Sequence, residues 1–160
     1  MAKVTYDANI YIRYKEQSLP RSFYMSAVVL QELVAGANDG SAIKEFERLR
    51  QEYRKANKLL VPNEEDWWHA GLALNSLQRG RRSKKTGKIP RISVAERYRI
   101  INDVLIARTA KRAGVIVVTD NVNDFKKIRN FCDVTIISGN RYFSSRVIRQ
   151  NLGGKLDRGK

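Results

Sequence analysis

Apolar runs of strand length alternate with stretches of helical spacing along this chain. Residues 3–12 (KVTYDANIYI) open as a β-branched and aromatic strand and break into a turn or helix near Asn9, so VTY runs directly into Asp7. The stretch 24–37 (YMSAVVLQELVAGA) starts extended and then takes helical spacing. Val29, Leu30, Leu33 and Val34 fall on one face, Ser26 is placed to cap the helix, and Gly36 closes it. Residues 41–57 predict a strongly periodic helix with Ile43, Phe46, Leu49 and Tyr53 on one side. KLLVPN is a short strand stopped by Pro62, after which Asn63 caps a helix through EEDWWHAGLALNSLQ. Residues 79–91 (RGRRSKKTGKIPR) lose all periodicity and predict an exposed basic loop. A helix with a possible interruption follows over 93–114 and ends at Gly114. VIVVT then has the continuous apolar character of a buried parallel strand. DNVNDFKKIRNF returns to helix and DVTIIS to strand.

The resulting order β, α, α, β, α, α, β, α, β predicts an α/β protein with a mostly parallel central sheet and helices on both faces. In such sheets, sites form at the carboxyl ends of the strands. One domain is expected over 1–143, followed by a basic tail over 144–160.

Charge changes this picture. Lys and Arg number 31 against 16 acids, a net charge of +15. So large an excess predicts a polyanionic partner, nucleic acid before membrane, because no basic amphipathic helix with a clean apolar face appears. No apolar stretch reaches membrane-spanning length and no signal-peptide core is visible, so a cytoplasmic protein is expected. The one cysteine, Cys132, excludes an internal disulfide and a cysteine-built zinc site. The one histidine, His69, lies within the helical stretch WWHAGLAL and is expected to be a partly buried structural or surface residue rather than a catalytic base.

Against this basic background the placement of the acids is informative. Asp7 and Asp120 close predicted strands, whereas Glu32 and Asp103 sit on helices beside apolar residues and Asp124 follows in VIVVTDNVNDF. Each alone has an ordinary reading as a cap, a solvated residue or half of an ion pair. Together, acids in apolar company call for a partner or a cation. Clustered carboxylates repel one another, and a hard divalent ion such as Mg²⁺ or Mn²⁺, bound by oxygen, removes that penalty. Such ions activate water and stabilise charge on a phosphoryl group without any nucleophilic side chain. A basic body around an acidic, metal-holding pocket outlines a nuclease.

The chain resembles the PIN domain family and, within it, VapC-type toxins of toxin–antitoxin pairs. The resemblance rests on YDANIYI, on SAVVLQELVAGA with Ser26 six residues before Glu32, and on NDVLIARTAKRAGVIVVTDNVNDF, and it spans roughly residues 4–140. It implies a Mg²⁺-dependent endoribonuclease with an α/β/α fold, and a cognate VapB-like antitoxin that occludes the site. It makes Asp7 and Asp103 metal ligands and Glu32 the third acid. The fourth acid stays open between Asp120 and Asp124, because Asn121 stands where many relatives carry Asp. Asn9, Ser26, Thr119 and Asn121 are expected to orient the carboxylates or to serve turns and caps.

The substrate RNA is expected to meet Arg81, Arg82, Lys84 and Lys85 in the basic loop, and Arg108, Lys111 and Arg112 on the helix that carries Asp103. Of the adjacent Trp67 and Trp68, one is expected in the core and the other at a dimer or antitoxin surface. A homodimer is expected. Two other readings stand beside the toxin: a non-catalytic RNA- or ribosome-binding module, and a metal-dependent DNA nuclease.

Overall fold

The structure is a computed structural model that describes residues 2–14, 19, 20 and 22–144. The basic tail lies, from residue 145 onward, outside them.

Strand β1 (Val4–Tyr6) leads through helix α1 (Ala8–Arg13) to β2 (Met25–Ser26). Helices α2 (Ala27–Ala35) and α3 (Gly40–Lys55) follow, then β3 (Leu59–Leu60). The second half runs through α4 (Glu64–Gly80), α5 (Val94–Arg112), β4 (Ile116–Val118), α6 (Val122–Ile128) and β5 (Ile136–Ile137). Strands β1, β4 and β5 pair in parallel in the order β1-β4-β5, and β2 pairs in parallel with β3. A parallel bridge between Thr5 and Tyr24 joins the two sheets, giving the order β3-β2-β1-β4-β5. From β1 the chain moves outward to β2 and β3, and then returns to the other side of β1 as β4. The sheet therefore has its topological switch point between β1 and β4.

Side chains alternate across the sheet as strand geometry requires. On β4, Val117 joins a core with Val28, Val29, Ala73, Leu105, Ile106 and Phe125, and Val118 joins another with Tyr6, Ile10, Met25, Leu49 and Tyr53. The first core is closed by α4, α5 and α6. The second is an aromatic cluster around the fully buried Tyr6, covered by α3 and by Tyr142 and Phe143. These are the three layers expected from the alternation of elements. Val104, Leu105 and Ile106 are fully buried in α5, and each such side chain contributes roughly 1.5–3 kcal/mol. That burial holds α5, and hence Asp103, against the sheet.

The caps follow the chemistry of their residues. Ser26 caps α2, and Asn63 forms a reciprocal capping box with Asp66 at the start of α4. Gly114 adopts φ +63°, which lets α5 turn sharply into the strand after it. Four expectations are corrected. Helix α3 starts one residue before its expected beginning, capped by Asp39, and Ile43 at its first turns lies past the edge of the core, 46 % exposed. Val34, near the end of α2, faces out in the same way. Trp67 and Trp68 are 56 % and 67 % exposed, so neither is core; the α4 positions that face α5 are taken by Ala70 and Ala73.

Candidate active site

The site begins at Asp7, the first residue past β1. Its backbone N–H still pairs with the Val118 carbonyl at 3.0 Å, so the residue is held at the end of the β1–β4 ladder. Its side chain caps α1, with Oδ1 accepting the Ala8 N–H at 2.7 Å. Oδ2 accepts from Asn9 Nδ2 and from Thr119 Oγ1, each at 2.7 Å. Thr119 Oγ1 in turn accepts from Asn9 Nδ2 at 3.2 Å and from the Asn121 N–H at 3.0 Å. Asn9 Oδ1 accepts the Asp120 N–H at 3.1 Å. Asn9 and Thr119 thus staple the two strand ends across the switch point and fix the carboxylate between them. Two donors occupy Oδ2, whereas Oδ1 keeps a lone pair free for a further partner.

The cleft beside this staple holds about 750 Å³ and is lined by Asp7, Glu32, Asp103 and Asp124, with Asn9, Asn121 and Arg99 also on its walls. Helix α2 brings in Glu32, whose Oε1 accepts from Asn102 Nδ2 at 2.7 Å. Helix α5 brings in Asp103, and the first turn of α6 brings in Asp124, which pairs with Lys127 at 2.7 Å. Asp103 and Asp124 also face a narrow adjoining cavity of about 60 Å³, flanked by Arg81, Arg99 and Lys127.

The electrostatics distinguish these acids from ordinary surface carboxylates. Burial pushes the Asp103 carboxyl up to about 8, helped by the charges of Asp7, Asp124 and Glu32 and opposed by Arg99. Burial also raises Glu32, against the hydrogen bond from Asn102 and with the charge of Asp7. Asp7 is raised as well, chiefly by burial, although Thr119, Ala8 and Asn9 all donate to it.

The remaining residues singled out from the sequence lie elsewhere or act locally. Asp120 turns away from the cleft: Arg13 holds its Oδ2 at 2.8 Å and the Gly139 N–H donates to its Oδ1 at 3.1 Å. Asn121 begins α6 without a side-chain capping bond and faces the cleft. Ser26 is buried and accepts from the Val29 N–H at 3.5 Å, so it orders the helix that carries Glu32. Arg81 pairs with Glu96, and Arg82, Lys84 and Lys85 are exposed in a tight turn closed between Ser83 and Lys88.

Arg108, Lys111 and Arg112 depart from the expected substrate rim. They line a separate depression together with Asp66. Sharing α5 with Asp103 does not bring them to the cleft, because α5 runs toward the amino edge of the sheet, where it turns into β4. Nine residues, about 13 Å of helix, separate Arg112 from Asp103. Asp66 is itself a buried acid that the sequence reading missed. Burial favours its neutral form, but the Asn63 N–H, Arg112 and Arg108 outweigh that and hold it below its usual range. Asn102 and Arg99 were missed too. The available signal was position: both share α5 with Asp103, one residue and one turn before it.

The donors in the cleft are hard oxygens without histidine or cysteine, the set that suits Mg²⁺ or Mn²⁺. Among the described residues no three of them are drawn together into a preassembled metal cage. Also among the described residues, no helix is long and apolar enough to cross a membrane.

Fold and site together define a class: an α/β/α domain with a carboxylate-lined cleft at the switch point of a parallel sheet. The chain belongs to the PIN domain family, whose model matches residues 6–130. This is a nuclease family, typically metal-dependent. Among solved structures the chain is similar to DNA-bound VapBC from Salmonella typhimurium, with 22 % identity, TM-score 0.50, and 86 % of this chain and 98 % of that one covered. It is also similar to VapBC2 from Rickettsia felis bound to a DNA fragment from their promoter. There the identity is 17 % and the TM-score 0.51, with 85 % and 98 % covered. No curated protein matches the chain.

Proposed function

We propose that this protein is a metal-dependent endoribonuclease and the toxin of a toxin–antitoxin pair. The observation that carries the reading is the convergence of Asp7, Glu32, Asp103 and Asp124 on one cleft, three of them raised in pKa. Acids crowded together at the switch point of an α/β sheet are costly to the fold, and functional sites are where such groups collect.

Asp7 and Asp103 would hold Mg²⁺ or Mn²⁺, with Glu32 and Asp124 completing the acidic wall; Asp124, not Asp120, is our choice for the fourth acid. The ion, when bound, supplies an activated water and stabilises charge on the phosphoryl group. Asn9 and Thr119 keep Asp7 in one rotamer, and Asn102 does the same for Glu32. Glu32, held by a single donor and raised by burial, is suited to take a proton from attacking water. RNA phosphodiester is the substrate this reading assigns, and the net charge of +15 supports a polyanion. A VapB-like antitoxin would close the cleft, offering an arginine to its carboxylates. A homodimer belongs to the same reading, with Trp67 and Trp68 as surface for a partner.

The test is cleavage of total RNA by the purified protein with Mg²⁺, with EDTA, and by Asp103→Asn. Discrete fragments that need both the ion and Asp103 support the reading. Intact RNA with salt-sensitive binding would replace it with a non-catalytic RNA-binding module, and equal cleavage of single-stranded DNA would replace it with a DNA nuclease.

A further inference from the structure

Carboxylates that suit a cation repel a nucleic acid strand, so the cations around the cleft decide whether a phosphate chain can lie across it. Two of those cations are committed: Asp124 holds Lys127 at 2.7 Å, and Glu96 holds Arg81.

Arg99 is different. It is exposed on the first half of α5 and makes no hydrogen bond or close ion pair among the described residues, although its charge acts on Asp103 and Glu96. It lines both the cleft and the narrow cavity that opens from it. It precedes Asp103 by four residues, so the two side chains share a helix face about 6 Å apart along the axis. A guanidinium whose N–H groups have no hydrogen-bonded partner offers five donors in a planar fork that matches two phosphate oxygens. Arg97, also exposed on the same turn, falls on another face and lines neither cavity.

We propose that Arg99 is a phosphate clamp: it grips the backbone phosphate of single-stranded RNA next to the one set over the carboxylates. The clamp sets substrate register and keeps the strand in a cleft whose floor repels it. This inference rests on the nuclease reading above.

The test compares wild type, Arg99→Gln, Arg99→Lys and Arg97→Gln in Mg²⁺-dependent cleavage of an unstructured RNA oligonucleotide across a KCl series. Bis(p-nitrophenyl) phosphate, a substrate with no neighbouring phosphate, serves as the second substrate. Arg99→Gln is expected to raise KM for RNA about tenfold, with kcat changed less than about twofold, and to reduce the salt slope by about 0.7, the value of one single-strand phosphate contact. Arg99→Lys should keep the slope. Arg97→Gln should match wild type on both substrates, and Arg99→Gln should lose far less on the small diester than on RNA. An unchanged KM and slope in Arg99→Gln overturns the clamp, as does an equal loss in Arg97→Gln or a matching loss on the small diester. A wild type that cleaves neither substrate overturns the nuclease reading itself, and is distinguished by that failure from a clamp that is absent.

Discussion

Asp66 and Asp103 are both acids withdrawn from water, and the fold treats them in opposite ways. Asp66 receives the Asn63 N–H and the guanidiniums of Arg108 and Arg112, and its carboxyl is held below the ordinary range. Arg112 also donates to the Val61 carbonyl at 2.8 Å, so one acid ties α5 to both α4 and the loop before it. Asp103 has Arg99 near it but three acids as well, and its carboxyl rises to about 8. Burial therefore does not separate these acids; the charge of their neighbours does. A buried carboxylate paired with guanidiniums is part of the scaffold, and one facing other carboxylates fits a cation.

That contrast breaks most visibly in catalysis. Asp103→Asn should lower RNA cleavage by about a thousandfold or more, since an ion-centred site contributes several kcal/mol to the barrier. Cleavage assays at saturating Mg²⁺ check this, and near-wild-type rates would reduce Asp103 to a structural acid.

In stability the order reverses. Asp66→Ala should cost about 3 kcal/mol, the low end for a broken buried pair because Arg112 stays half in water, and should lower the urea midpoint. The same unfolding experiment on Asp103→Asn in EDTA at pH 8 should show no loss, or a gain.

The pH dependence sharpens the comparison. A carboxyl raised in the folded state contributes stability fully below its unfolded value, 3.8 for Asp103, and loses it as pH rises through about 8. Metal-free protein should therefore weaken between about pH 4 and pH 8, and Asp103→Asn should flatten that trend by at least about 1 kcal/mol. Asp66 works the other way: its contribution is present above 3.8 and is lost as pH falls through its depressed value. Denaturation series at several pH values in EDTA separate the two.

Smaller effects follow from the staple. Thr119→Val removes a donor that lowers the Asp7 pKa, so kcat should fall at neutral pH by about tenfold and recover partly in alkaline buffer. The smallest effect is expected from Asp120→Asn, which frees Arg13 at the surface and should leave cleavage within about threefold of wild type. A larger loss there than in Asp124→Asn would reverse the choice of fourth acid.

The acid motifs were legible because each sits at a marked boundary. VTY ends in Asp7, Gly114 opens VIVVT, and Ser26 precedes the periodic turns that carry Glu32. The choice between Asp120 and Asp124 was not legible, since both flank Asn121 and differ only in which partners the fold brings to them. The two tryptophans were misjudged for a related reason. Helical spacing places them on different sides of α4, but the small Ala70 and Ala73 are what allow close approach to α5. Helix sharing misled for Arg108 and Arg112 as well, because a helix of 19 residues reaches from one edge of the sheet toward the other.

The sequence by itself determined the layered parallel architecture, the caps and three of the four acids in the cleft, because strand and helix periods and capping chemistry act over a few residues. Tertiary structure alone decided which donors and charges each acid meets. Asp66 meets Arg108 and Arg112 across 42 and 46 residues, Asp7 meets Thr119 across 112, and Glu32 meets Asn102 across 70. A carboxylate's fate depends on the charges and donors within a few ångströms, and over such separations only packing brings them there.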